Sequence, residues 1–69
     1  MITLNKTQQF IVFCIEQYKK STGITGMQAY IDFKKYGVFS FLESGYEVLH
    51  TQGHRYIIQE ITEYIQHQK

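Results

Sequence analysis

The chain has 69 residues, of which 43% are hydrophobic, with a formal net charge of +1 and a single cysteine. A domain of this size buries only ~60% of the surface its unfolded chain exposes, so the length fits one domain with a small core that self-association or a partner would supplement. One cysteine excludes an internal disulfide, and the near-neutral charge argues against broad electrostatic capture of nucleic acid or an anionic membrane.

Cys14 lies in an apolar run, which suits a reducing cytosol. No apolar run approaches the ~20 residues of a membrane span, and the opening MITLNKTQQF lacks the basic-then-apolar order of a secretion signal. The expected address is cytoplasmic. Aromatic residues make up 16% of the chain, six of them tyrosine and five phenylalanine, more than a core this small can hide.

Glycine supplies the punctuation, since no proline occurs. Over 5–22, Asn5 and Gln8 have the spacing of a capping box. Ile11, Cys14, Ile15 and Tyr18 then recur at i, i+3, i+4 and i+7, the pattern of a helix with one buried face, which Phe10 and Phe13 widen. Lys19 and Lys20 suit the negative end of the helix dipole, and Gly23 can close it in a left-handed conformation. Over 25–36 the grammar repeats: Thr25 and Gln28 form a second capping-box pattern, and Ala29, Tyr30, Phe33 and Tyr36 form the apolar side. Between 38 and 50, Phe39, Leu42, Tyr46 and Leu49 keep helical spacing, but Gly45 interrupts them, so one broken helix or two short ones are expected. Over 54–67, Ile57, Ile58, Ile61, Tyr64 and Ile65 mark a strong amphipathic helix.

The expected fold is all-α, a small compact bundle of three main helices plus one or two short ones. Its core should hold Phe10, Ile11, Cys14, Ile15, Tyr30, Phe33, Phe39, Leu42, Leu49, Ile57, Ile58 and Ile61.

His50 and His54 have the i, i+4 spacing that offers two imidazoles to one metal on a continuous helix, but Gly53 falls inside the interval. The residues favour a structural turn in which His50 orients the chain and Thr51 and Gly53 begin the last helix. No metal or other cofactor and no small-molecule substrate is implied. Nothing around Cys14 points to a lowered thiol pKa, and small helical ribonucleases often place an arginine before a histidine, the reverse of His50 and Arg55 here. The first two helices and their short turn have the layout of a helix-turn-helix. The second helix offers Gln28, Lys34 and Lys35 to DNA, with Asp32 set against phosphate, so nucleic acid is the alternative rather than the leading reading. The leading reading is a protein-interaction surface, homodimeric or heteromeric, rich in tyrosine. Its candidate residues are Tyr18, Tyr36, Tyr46 and Tyr64.

The stretches FCIEQYKKSTGITG, FKKYGVFSFL, YEVLHTQG and YIIQEITEYI together resemble a family of short bacterial proteins, domain-of-unknown-function family 3791, over Gln9 to Ile65. Tyr46, Leu49, His50, Thr51 and Gly53 are the most distinctive part of that likeness, and Gln59 departs from it where an acidic residue is expected before Glu60. The resemblance implies a small helical domain with no assigned enzyme activity. Its relatives are encoded beside proteins that look like ADP-ribosyltransferases, which implies an accessory or neutralising partner of such a toxin.

Overall fold

The computed structural model describes residues 3–69, and every regular element in them is helical. The elements are α1 (Lys6–Thr22), α2 (Gly26–Lys35), α3 (Val38–Leu49) and α4 (His54–Gln68).

The helix ends follow local chemistry. At the start of α1, the Asn5 side chain accepts from the Gln8 backbone N–H at 2.8 Å, and the Gln8 side chain accepts from the Asn5 N–H at 2.9 Å, so both arms of the capping box are formed. At its end, Gly23 takes φ 72° and donates its N–H to the Lys19 carbonyl at 2.9 Å. Thr25 caps α2 through its hydroxyl, which accepts from the Gln28 N–H at 3.1 Å. The reciprocal arm is missing, because the Gln28 amide instead donates to Asp32 at 2.8 Å. Gly37, with φ 71°, both leaves α2 and enters α3.

α3 corrects the sequence expectation of short pieces between 38 and 50: it is one uninterrupted helix of 12 residues. Gly45 does not break it. A Cβ at that position would stand 3.0 Å from Leu49 Cδ1, so the missing side chain gives the buried Leu49, one turn on, its space.

α1 packs against all three other helices, α3 does the same, and α2 and α4 do not touch. The core therefore lies along the α1–α3 pair. Phe33, Leu42, Ile61, Val38 and Cys14 are its largest fully enclosed side chains. Of the expected core, Cys14, Phe33, Leu42, Leu49, Ile57 and Ile61 are buried, and Phe10, Ile11, Ile15, Phe39 and Ile58 pack against them half-buried. Tyr30 is the exception: it is 46% exposed, because α2 turns Ala29 and Phe33 inward and Tyr30 lies to one side of that line. Tyr18, Ala29, Val38 and Ile65 complete the interior. Among the described residues no helix is long and apolar enough to cross a membrane.

Gly37 and Gly53 separate two uses of glycine. At Gly37 a Cβ would make only ordinary contact, 3.7 Å from the Tyr64 hydroxyl, so the constraint is the left-handed backbone and not space. A side chain in that conformation costs about 1–2 kcal/mol. Gly53 has φ −68° and open space around it. Urea denaturation should therefore show Gly37→Ala destabilised by about 1–2 kcal/mol, whereas Gly53→Ser should gain a few tenths of a kcal/mol by supplying the missing cap. Equal effects at the two positions would contradict this account.

Candidate functional site

The turn between α3 and α4 is closed by its own residues. His50 ends α3, and its N–H donates to the Tyr46 carbonyl at 2.9 Å. Its ring Nδ1 lies 2.6 Å from the same oxygen, so the proton sits on Nδ1 and the ring is held down on the helix. The imidazole stacks on the Tyr46 ring, with centroids 4.4 Å apart and planes 9° from parallel. Tyr46 in turn meets Phe10 of α1 edge-on at 5.5 Å. Phe10, Tyr46 and His50 thus form one ring cluster, the first pair edge-on and the second stacked, that ties the end of α3 to α1. Leu49, also in the motif, is buried in the core.

Thr51 corrects the expectation that it caps α4. Its hydroxyl donates backward to the Val48 carbonyl at 2.8 Å, satisfying the end of α3. Gly53 is the residue that caps α4, and it does so with no side-chain hydrogen bond. His50 is the C-cap of α3 and His54 the first residue of α4, so no continuous helix runs through both.

The tyrosines divide differently from the expectation. Tyr18 is 8% exposed, its ring 5.3 Å from that of Phe33, so it belongs to the interior and not to an interface. Burial, and then the charge of Asp32, pushes its phenol above the usual range. Tyr36 is half-buried and carries the Lys35 ammonium 5.2 Å from its ring centre. Tyr46 is half-buried in the stack described above, and Tyr64 lies stacked on Phe41 at 4.3 Å.

Exposed apolar residues lie elsewhere: Val12 and Phe13 on α1, Val48 on α3, Tyr56 on α4, and a group on α2. Met27 is 70% exposed and Ile31 45%, and with Tyr30 they occupy i, i+3 and i+4 on the side of α2 that turns away from Ala29 and Phe33. The Tyr30 ring contacts half-buried Phe39 of α3 at 5.5 Å, which seats the patch on that helix. Sequence reasoning missed Met27 and Ile31. The available signal was that α2 carries apolar residues off its Ala29–Phe33 line, where a helix with one buried face carries polar ones.

A second feature is an open groove of about 360 Å³ where the last turns of α1 meet the first of α4, lined by Gln17, Lys20, Ser21, His54, Arg55 and Ile58. His50 does not line it, so the groove does not bring His50 and Arg55 together. A smaller cleft joins Phe41 to Glu60, Glu63, Tyr64 and His67.

Cys14 is fully enclosed, and desolvation pushes its thiol up to about 12 from an ordinary 9.0. The folded chain therefore holds this proton more tightly than the unfolded chain. The stability linked to it is intact below pH 9.0 and is lost as pH rises toward about 12. At neutral pH, alkylation of Cys14 by iodoacetamide should proceed only as fast as the chain opens, and urea should accelerate it steeply. Rapid labelling of the native protein would contradict the burial. His50→Ala removes a ring stack and an exposed hydrogen bond, and should lower the unfolding free energy by about 1 kcal/mol. Stoichiometric zinc that this variant loses would show a different role for the ring.

The sequence model of the family described as "Protein of unknown function (DUF3791)" matches residues 9–68. No curated protein and no solved structure matches the chain. With α2, α3, α4, all but the start of α1, and the Tyr46–Gly53 turn inside the matched span, the chain belongs to the DUF3791 family.

Proposed function

We propose that the chain is a non-enzymatic protein-interaction module of the cytoplasm, acting as an accessory or neutralising partner of an ADP-ribosyltransferase-like toxin. The observation that carries the interaction reading is the exposed line Met27, Tyr30 and Ile31 on α2, with Tyr30 resting on half-buried Phe39 of α3. Contiguous apolar surface on a small domain is the usual mark of a docking face. The enzyme class comes from the family resemblance alone.

Charge favours a foreign partner over a second copy. Lys34 and Lys35 stand at the C-terminal end of the same helix, and neither forms an ion pair among the described residues. If two copies of α2 packed antiparallel, each lysine pair would meet the positive N-terminal end of the other helix, and a parallel pair would set lysine against lysine. The fitting occupant presents an apolar centre with carboxylates at one edge. DNA is a poorer fit: the Gln28 amide is engaged with Asp32, and the exposed line Met27, Tyr30 and Ile31 is apolar where a base-reading helix needs polar donors.

The test is calorimetric titration of the purified chain with an ADP-ribosyltransferase-like protein from its own host. Saturable binding is expected, weakened at least about tenfold in Ile31→Glu with the helical circular dichroism unchanged. No binding by the native chain would overturn the reading. Light scattering that shows a dimer dissolved by Ile31→Glu would replace the foreign partner with a second copy.

A further inference from the structure

We propose that the groove between the end of α1 and the start of α4 is a binding site for a phosphate monoester. Three cationic or protonatable side chains, Lys20, His54 and Arg55, line it together with the Gln17 amide and the Ser21 hydroxyl, and no carboxylate does. None of the three forms an ion pair: the ion pair among the described residues is Lys19 with Glu16, one position away on α1. Two fixed positive charges and an imidazole lining one concavity match a dianion better than a single carboxylate. Arg55 supplies the planar fork of donors that phosphate oxygens accept, and Lys20 adds a point charge. Ile58 is the groove's one apolar side chain, a surface for the organic part of the ester. The volume of about 360 Å³ lies at the small end of ligand pockets.

The source of these charges is visible in the sequence. Lys20 is one of the two lysines that close α1, and His54 and Arg55 open α4, where a helix more often carries acidic residues. α4 has no acidic residue in its first turn. None of the groove residues belongs to α2, so the site is independent of the docking face.

The test is an amide-resolved NMR titration of the full chain with inorganic phosphate and with phenyl phosphate, against sodium chloride at matched ionic strength. Saturable shifts are expected at Gln17, Lys20, Ser21, His54 and Arg55 with both phosphates, with a further shift at Ile58 for the ester. Lys20→Gln combined with Arg55→Gln should weaken binding at least about tenfold while leaving the remaining amides in place. Lys20→Arg, which keeps the charge, should retain it. Shifts that chloride reproduces, or that are as large at Lys34 and Lys35 as in the groove, would overturn the proposal. So would undiminished phosphate binding in the double variant.

Discussion

Phe33 is the contact on which the bundle depends. It is fully enclosed, and its ring meets Tyr18 of α1 at 5.3 Å and Phe39 of α3 at 5.8 Å, so one side chain of the ten-residue α2 fastens that helix to both central ones. Truncating a buried phenylalanine typically costs 3–5 kcal/mol, which is of the same order as the whole stability a core of this size supplies. Phe39 then passes the contact to Tyr30, on the outside of α2. The exposed patch is therefore braced from beneath by the same ring cluster that closes the core.

Local chemistry made much of this architecture readable in the sequence. Asn5 with Gln8, Thr25 with its amide partner, and Gly23 act through residues no more than four positions apart, so their roles are encoded where they stand. The core periodicity of α1 and α4 was equally legible, because a long helix repeats its apolar face several times and errors average out. α2 is ten residues long and offers less than three turns of signal. Ala29, Tyr30 and Phe33 looked equivalent there, and only the placement of α1 and α3 decides that Tyr30 stays wet. Tyr18 stood in both readings, on the apolar stripe of α1 by its spacing and among the interface candidates by its hydroxyl, and the stripe prevails: its ring is buried.

The other misreadings share a cause. Gly45 was taken for a break because glycine is a poor helix former, at about 1 kcal/mol relative to alanine. Tertiary packing of Leu42 and Leu49 on either side of it outweighs that penalty, and both are buried. Thr51 lies in a turn so short that its hydroxyl can serve the helix before or the helix after. It serves the one before, adding a 2.8 Å bond to the Val48 carbonyl that the Thr51 N–H reaches only at 3.4 Å, and α4 is left to start at a bare glycine. The His50 contacts were the part of the turn that sequence could anticipate, since Nδ1 reaches a carbonyl four residues back, within a single helical turn. The groove was not legible at all: Lys20 and Arg55 are far apart in sequence, and each has an ordinary explanation as an end-of-helix charge.

A net charge of +1 conceals how unevenly the charge is spread. α4 begins with His54 and Arg55 in the basic groove, and further along its Glu60 and Glu63 line a different cleft beside Tyr64. Overall neutrality limits long-range attraction to a polyanion but leaves short-range recognition of one anionic group intact, because such contacts act within a Debye length of about 8 Å at physiological salt. The apolar face of α2 and the cationic groove at α4 are carried by helices that do not touch each other. Both rest on α1, which contributes Tyr18 beneath Phe33 and, two residues later, Lys20 to the groove wall. The shortest connection between the two surfaces is that last turn of α1, where the Thr22 hydroxyl donates to the Tyr18 carbonyl at 2.7 Å and Gly23 closes the helix, with α3, which also packs on both α2 and α4, as the second route.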